Sequence, residues 1–396
     1  DLTTTYSPGA IIQNTWFKRL ARVDCEADWT GAAESNVIEI AIESTPVSGT
    51  LAKTPDAANV CESDDVSATL TAGSGGNGTD ELEYRTHDGS NWSGWAAYTS
   101  GNDISTTGFT QVEIRTRRMA NCSDNAAYNS VYWQVEQTPV SGTLTKTPDA
   151  DNVCENEDVS AILTAGSGGN GTDELEYRTH DGTNWSAWAN YVSGNDISTT
   201  GKTDVEIRTR RMADYCSDAG YSTINWTVDP TTVAGILDGD DETDYGSSTG
   251  NLTLTGYTGN VVKWQKRTGT SGPWTDISHT SDVFSESPAS AGTWQYTAVV
   301  QSGTCSEEQA EPHTVTVNPK ELTIGGSFTA NDKIYDDNTN ATFDQNDLEL
   351  LGVVGSDDVS LTGLEIDFAA KTVGNHTVSI TAASLAGVNK DNYTLS

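Results

Sequence analysis

The sequence has few basic residues and no long apolar run. Its 396 residues contain 21 Lys and Arg against 57 Asp and Glu, which gives a formal net charge of −36. A chain without a basic patch is a poor match for nucleic acid or for an anionic membrane surface. No stretch reaches the roughly 20 apolar residues that a spanning helix needs, so we expect no direct membrane insertion.

Motifs of metal and catalytic sites are also scarce. The five His are scattered, and no Cys-x-x-Cys pair occurs. The GSGGNG runs at 73–78 and 166–171 match a dinucleotide-binding fingerprint, but a strand pattern follows each one where a helix is needed, so we interpret them as turns. GSSTG at 246–250 likewise lacks the strand and helix of a nucleophile elbow. The sequence therefore predicts a protein that is not an enzyme.

One acidic cluster is a candidate metal site. Carboxylates alternate in the run 238–244, as they do in the first half of an EF-hand loop. Thr243 replaces the turn glycine, and Thr249 stands where a bidentate glutamate belongs. A loose calcium site remains a hypothesis, and no other cofactor is indicated. Its ligands would be Asp238, Asp240, Glu242 and Asp244.

The strongest feature present is an internal copy. Residues 45–120 recur at 138–213, and 65 of these 76 positions are identical. The offset of 93 residues is the length of one β-sandwich domain and is too long for a solenoid repeat. The sequence therefore indicates a string of similar domains.

The residue pattern is that of short strands. Val112 and Ile114 alternate with Glu113 and Arg115, and Gly, Asn and Asp punctuate such runs throughout. We predict an all-β chain of tandem Ig-like β-sandwich domains in an extended array, because the linkers are short and carry proline.

Five segments are predicted. Residues 1–44 would be the C-terminal part of an Ig-like domain with a buried Trp16. Two whole Ig-like repeats would follow at 45–137 and 138–230, then a diverged Ig-like domain at 231–319, and a different β-rich module at 320–396.

The six cysteines follow the repeat. Each copy contains a pair, and an even count within a small domain predicts one disulfide per repeat and an oxidising compartment outside the cell. Cys25 would have its partner upstream of Asp1, since we expect the chain to be the interior of a longer secreted protein. Cys305 would be free, because the equivalent of Cys61 falls near Tyr245 in its segment. The predicted pairs are Cys61 with Cys122 and Cys154 with Cys216.

Tryptophans form the most distinctive local motif, NWSGWAAY at 91–98 and NWSAWANY at 184–191. One hypothesis is a sugar-binding platform of exposed rings. The other, which we favour, is a structural ladder in which arginines of a neighbouring strand stack on the rings. Locally this resembles the ladders of cytokine-receptor and thrombospondin-type modules. The residues concerned are Trp92, Trp95, Trp185, Trp188, Arg115, Arg117, Arg208 and Arg210.

Three segments resemble modules of giant bacterial surface proteins. YSPGAIIQNTWFKRLARVDC and VVKWQKR…PWTDI resemble the two halves of Ig-like repeats in proteins exported by the type IX secretion system. ANDKIYDDNTNATF…NKDNYTLS resembles the YDG-type repeat of bacterial adhesins, with Asp337 where that repeat has glycine. The combination is similar to gliding-motility adhesins of the SprB type.

This resemblance implies a stalk or spacer segment of a long secreted adhesin at the bacterial cell surface, with a gliding-motility filament as one setting. The expected partners are surface polysaccharide, other cell-surface proteins, or secretion and motility components. The alternative is an array of carbohydrate-binding modules attached to a secreted hydrolase.

Overall fold

Nearly every element of the chain is a β-strand. The structure, a computed structural model, describes residues 5–396, so the first four residues of the predicted 1–44 segment lie outside it. Within that range, the one helical element is a 3₁₀ turn at Lys390–Asn392. No helix there is long and apolar enough to cross a membrane. The all-β prediction is confirmed.

We name the parts by their sequence ranges: the N-terminal segment (5–44), the first repeat (45–137), the second repeat (138–230), the third segment (231–319) and the C-terminal segment (320–396). The N-terminal segment contains four short strands, which are β1 Thr15–Phe17, β2 Leu20–Ala21, β3 Ala33–Glu34 and β4 Ile38–Ile40. They form two separate pairs, β1 with β4 and β2 with β3.

The first repeat has eight strands in two sheets. They are β5 Thr50–Thr54, β6 Asn59–Cys61, β7 Asp65–Thr71, β8 Asp80–His87, β9 Ala96–Ala97, β10 Ile104–Ser105, β11 Gln111–Arg118 and β12 Asn129–Glu136. One sheet has the order β10-β7-β5 and the other β6-β12-β11-β8-β9. Alternate residues of β11 and β12 pack between the sheets, where Val112, Ile114 and Trp133 are fully buried. This is the two-layer packing of an Ig-like sandwich.

The second repeat copies this arrangement. Its strands are β13 Thr143–Thr147, β14 Asn152–Cys154, β15 Ser160–Thr164, β16 Asp173–His180, β17 Ala189–Asn190, β18 Asp204–Arg211 and β19 Ser222–Asp229. The larger sheet has the order β14-β19-β18-β16-β17 and the smaller pairs β13 with β15. Val205, Ile207 and Trp226 take the buried positions.

The third segment keeps the same plan with one added strand. Its strands are β20 Ile236–Asp238, β21 Glu242–Asp244, β22 Leu252–Thr255, β23 Asn260–Thr268, β24 Thr275–Ile277, β25 Val283–Phe284, β26 Gly292–Gln301, β27 Glu308–Gln309 and β28 His313–Asn318. The larger sheet has the order β21-β28-β26-β23-β24, with β27 paired to β26. The fully buried Trp264 and Tyr296 lie in its core.

The C-terminal segment is built differently. Its strands are β29 Lys320–Gly325, β30 Phe328–Ala330, β31 Asn340–Ala341, β32 Phe343–Asn346, β33 Glu349–Leu351, β34 Ser360–Phe368, β35 Val378–Ala386 and β36 Tyr393–Leu395. They form the sheets β33-β29-β36, β30-β32 and β31-β34-β35. Leu322 and Tyr393 belong to the same buried apolar cluster as Trp264, so the core continues from the third segment into this one.

The prediction that Trp16 is buried is wrong, because its side chain is 60% exposed. Trp16 pairs with Glu39 in the β1–β4 register, as Glu113 pairs with Tyr132 in the first repeat. It therefore lies on the face of the sheet that points away from the core. Trp16 is followed by the equally apolar Phe17, so the sequence gave no means of telling which of the two points toward the core.

Candidate functional site: the joints between segments

The short strand β6 decides where the first cysteine of each repeat lies. It runs parallel to β12, with Val60 opposite Val135 and Cys61 opposite Glu136. Glu136 is the last residue of the last strand, so Cys61 lies where the chain leaves the first repeat. The second repeat does the same with Cys154 opposite Asp229.

Both disulfides therefore connect neighbouring segments. Cys61 is bonded to Cys216 of the second repeat, across 155 residues of sequence. Cys154 is bonded to Cys305 of the third segment, across 151 residues. Cys25 and Cys122 are free and exposed.

The predicted pairing within each repeat is thus wrong for Cys61–Cys122 and for Cys154–Cys216, and so is the prediction of a free Cys305. Cys122 lies in the loop between β11 and β12, beside the start of β12, whereas Cys61 lies beside its end. The eight residues of β12 separate these two places by about 25 Å, and a disulfide needs Cα atoms within about 7 Å. The sequence did carry a signal, because Cys305 had no partner in its own segment.

Carboxylates reinforce the joint between the two repeats. Glu136 Oε2 accepts hydrogen bonds from the backbone N–H of Tyr215 and Cys216, both at 2.6 Å. In the other direction, Glu62 Oε2 accepts from the N–H of Thr138 at 3.0 Å. Each carboxylate thus reaches across the joint to backbone of the neighbouring repeat, beside the disulfide.

These hydrogen bonds favour the ionised carboxylates. The pKa of Glu62 lies below its ordinary value, chiefly because it accepts from Thr138 and then from Gly108. Burial acts to raise the pKa of Glu136, but its backbone donors outweigh burial and the net pKa is also lowered. Both groups are therefore charged in the folded chain at neutral pH.

The joint between the second repeat and the third segment has the same design. Asp229 takes the place of Glu136 and accepts from the N–H of Thr304 at 2.9 Å. Glu155 takes the place of Glu62 and accepts from Gly201 and Thr231. The bridge from Cys154 to Cys305 lies beside these contacts.

The last joint replaces sulfur with aromatic rings. Register places Asp244, not Tyr245, at the position of Cys61, since Asp244 pairs with Asn318 as Cys61 pairs with Glu136. The next residue, Tyr245, contacts Tyr393 of the C-terminal segment edge to face, with ring centroids 5.5 Å apart.

Asp357 connects these two rings. The hydroxyls of Tyr245 and Tyr393 both donate to its Oδ2, at 2.9 and 2.6 Å. Burial and this carboxylate raise the pKa of Tyr393 to about 12. The joint is thus held by ring packing and a partly buried pair of hydrogen bonds in place of a covalent bond.

The GSGGNG turn holds the linker. Gly76 donates its N–H to Ser44 O, and a Cβ at Gly76, where φ is +57°, would lie 2.1 Å from Met119 O. A side chain at this position has no room, so the glycine is required by the close approach of linker and loop. The interpretation of the motif as a turn agrees with this geometry.

A second feature is a ladder of stacked side chains on the outer face of each large sheet. Arg85 lies 4.3 Å from the Trp92 ring centroid and 4.4 Å from that of Trp95. Arg115 lies 3.6 Å from Trp95 and 3.8 Å from Tyr128, and Arg117 follows at 4.5 Å from Tyr128. Six side chains therefore alternate as ring and guanidinium.

Glutamates on the paired strand fix the guanidinium groups. In the β8–β11 register, each ladder arginine faces a glutamate, and Arg115 is 2.8 Å from Glu83 while Arg85 is 2.6 Å from Glu113. The second repeat repeats the ladder with Arg208 between Trp188 and Tyr221.

The sequence predicted the stacking of Arg115 on tryptophan but placed Arg117, and its copy Arg210, on the wrong kind of ring. Both stack on tyrosine. The ladder members that were missed are Arg85, Arg178, Tyr128 and Tyr221. Arg85 and Arg178 lie on the strand before each Trp motif, at positions that alternate with Leu and Tyr, and this alternation could have indicated the first two.

The candidate calcium ligands are not brought together. Asp238 ends β20 in the smaller sheet, whereas Glu242 and Asp244 lie on β21 in the larger one. Among residues 5–396, no group of three or more His, Cys, Asp or Glu is arranged to hold a metal ion. The turn at 239–241 carries the chain from one sheet to the other and divides the cluster.

The carboxylates at the joint predict an acid-sensitive contact once the covalent bond is removed. In a Cys61→Ser/Cys216→Ser variant, Glu62 and Glu136 would hold the two repeats together. Because their folded pKa values lie below the ordinary 4.5, their stabilisation is complete above that pH and is lost as the pH falls through the folded values. Energy transfer between dyes on the two repeats should therefore decrease below pH 4.5.

Adding Glu62→Gln and Glu136→Gln to that variant should remove the acid transition. A transition centred near neutral pH, or one that persists without the two carboxylates, would contradict this assignment.

The ladder predicts a cost for replacing a planar guanidinium with an ammonium. Arg115→Lys keeps the charge but loses stacking on two rings, and each stack contributes about 0.5–1 kcal/mol, so we expect a loss of about 1–2 kcal/mol in unfolding free energy. Arg208→Lys should cost the same in the second repeat. Urea unfolding measures both values.

Arg19→Lys is the matched control, because Arg19 stacks on no aromatic ring in the part of the chain that the structure describes. An Arg115→Lys cost equal to that of the control would show that the ladder adds no stability.

Comparisons with known proteins place two segments. Residues 318–396 match the YDG domain family and residues 233–319 match a domain of unknown function (DUF8696). The YDG prediction for the C-terminal segment is therefore confirmed. No curated protein matches the chain.

Three solved structures that match the chain each contain three or four domains. The chain is similar to three N-terminal domains of the bacteriophage RB49 highly immunogenic outer capsid protein (11% identity, 68% of this chain and 98% of that one, TM-score 0.29). It is also similar to the FN1–FN3 domains of chicken CNTN1 (8%, 68% and 98%, 0.23) and to the four N-terminal Ig domains of Dscam1 isoform 4.44 (11%, 77% and 83%, 0.25).

The chain thus combines Ig-like sandwiches with a segment that matches the YDG domain family. The two disulfides fit a secreted or extracellular protein.

Proposed function

We propose that this chain is a tension-resistant spacer segment of a long bacterial surface adhesin. The single observation that carries the proposal is that its two disulfides overlap in sequence. The first connects Cys61 to Cys216, and the second begins at Cys154, inside that loop, and ends at Cys305, outside it.

Overlap creates two covalent paths between the same points. One path crosses the first bridge and follows the backbone from Cys216 to Cys305. The other follows the backbone from Cys61 to Cys154 and crosses the second bridge. A force applied at the chain ends is shared between the two paths, and neither repeat can be drawn out without the other path becoming taut.

The length protected in this way is large. The first bridge withholds 155 residues from extension and the second, acting alone, withholds 151. At about 3.4 Å per extended residue, either value corresponds to roughly 500 Å of chain. In the chain-entropy model, closing a loop of this size also disfavours the unfolded state by about 5 kcal/mol.

Charge supports the same role. The net charge of −36 makes neighbouring copies repel one another, which suits crowded filaments on a cell surface. The YDG match and the resemblance of the Ig-like segments to modules exported by type IX secretion support a bacterial surface location. Surface polysaccharide or other surface proteins would be the partners, with gliding motility as one setting for the adhesin.

Single-molecule pulling tests the spacer role. With both bridges present, the contour length at full extension should be shorter by roughly 500 Å than in the reduced chain. Cys61→Ser and Cys154→Ser should each leave that short length almost unchanged, because the other path remains. The double variant should extend as far as the reduced chain.

A Cys61→Ser variant that already extends fully would contradict the parallel arrangement. A length that does not depend on reductant would contradict the spacer proposal itself.

Surface location has its own test. Brief trypsin treatment of intact cells that express the natural protein should release peptides from residues 45–230, because the repeats are proposed to face outward. A cytoplasmic marker protein serves as the control for lysis. Recovery of these peptides only after the cells are broken would overturn the surface assignment.

A further inference from the structure

Between residues 5 and 44, the N-terminal segment has strands that correspond to one half of a sandwich core, and no second sheet covers them. In its β1–β4 register Thr15 pairs with Ile40, as Val112 pairs with the buried Trp133 in the first repeat. Ile40 is 37% exposed and Ile42 is 42% exposed. The equivalent Trp133 and Val135 are 0% and 7% exposed, because the sheet β10-β7-β5 faces β12 in the first repeat.

One edge of β4 is also unpaired. Among the described residues, β4 is hydrogen-bonded to β1 alone, whereas β12 is paired on one side with β11 and on the other with the parallel β6. The edge that corresponds to the β6 position is therefore open.

Cys122 lies beside that open edge in the same surroundings as Cys216. Glu43 accepts hydrogen bonds from the N–H of Asn121 at 2.9 Å and of Cys122 at 2.7 Å. Glu136 does this for Asp214 and Cys216 at 2.8 and 2.6 Å. Cys216 is bonded to a cysteine that lies opposite Glu136 on the parallel strand, but Cys122 is free.

We propose that this edge is an acceptor site for a β-strand that adds parallel to β4 and whose terminal cysteine, opposite Glu43, forms a disulfide with Cys122. The occupant is the complementary half of an Ig-like repeat, with a strand of the Asn-Val-Cys type found in β6 and β14. Main-chain hydrogen bonds would supply the strand pairing, and its apolar face would cover Ile40 and Ile42.

The inference continues an interface that the chain already forms twice, at Cys216 and at Cys305. It rests on that geometry and not on the spacer function. Each thiol loses its hydrogen as the S–S bond forms, and the two electrons and two protons pass to a disulfide oxidant, which becomes a pair of thiols.

A strand peptide tests the site on the intact chain. The probe is the sequence of Ala57–Asp64, activated as a 2-thiopyridyl disulfide on its cysteine. The Cys122 thiolate would attack the peptide sulfur, and pyridine-2-thione would leave. We expect modification of Cys122 to be about tenfold faster than that of Cys25, since strand pairing raises the effective concentration at Cys122 alone.

Two controls separate strand recognition from ordinary thiol reactivity. A peptide of the same composition in scrambled order should modify Cys122 and Cys25 at similar rates. Ile40→Asp, on an exposed position, should abolish the preference of the native peptide while the thiol of Cys122 remains available.

Equal rates for the two peptides at Cys122, or a preference that Ile40→Asp does not change, would overturn the proposal. Formation of a Cys122–Cys122 dimer in place of the peptide adduct would assign the edge to a second copy of the chain and would also overturn it.

Discussion

The parallel pairing of the first short strand with the last strand of each repeat is the constraint on which the rest depends. It carries Cys61 and Cys154 to the point where the chain exits, opposite Glu136 and Asp229. A cysteine at an exit lies next to the following segment and far from the loop cysteine of its own. The covalent connections between segments and the overlap of the two bridges both follow from this one register.

Some of the acidic residues of the chain have a structural role at these joints. Glu43, Glu136 and Asp229 occupy the same place before each linker and accept backbone N–H groups of the next segment. An ionised carboxylate is a stronger acceptor than a neutral oxygen, and it satisfies donors that a loop leaves unpaired. The last joint shows that the same place can be held in another way, since Tyr245 and Tyr393 share Asp357 there and the apolar core runs through. The change from a bridge to a packed interface occurs where the chain passes from Ig-like repeats to the YDG domain.

The local residue pattern predicted most of the strands, but it did not predict contacts between residues that are distant in the sequence. Strand alternation indicated Val112 and Ile114 as core residues because side chains on a strand alternate between faces. Cysteine partners could not be read in this way, because they depend on which end of a strand each cysteine reaches. The ladder was predicted in part. Arg115 was expected to stack, but Tyr128 comes from a loop, and the alternation of residues along a strand does not show where a loop will lie. The hypothesis of a metal site at 238–244 was wrong for the same reason, because the turn within this run carries the chain from one sheet to the other.

The near-identity of the two repeats is itself informative about what a joint requires. The eleven differing positions between 45–120 and 138–213 include no buried residue, no ladder member, no cysteine and no carboxylate that spans a joint. Thr69 against Ile162 is an exposed difference, and Phe109 against Lys202 is a half-buried one. Each repeat has one cysteine where the chain leaves it and another in the loop near the point where the chain enters it. The core and the ladder hold the strands that place both cysteines. The second repeat is bonded through Cys216 to the repeat before it and through Cys154 to the segment after it, so a change at either end would disturb a neighbour as well as the repeat itself. Exposed positions outside the joints and the ladder make none of these contacts, and most of the differences between the two repeats lie at such positions.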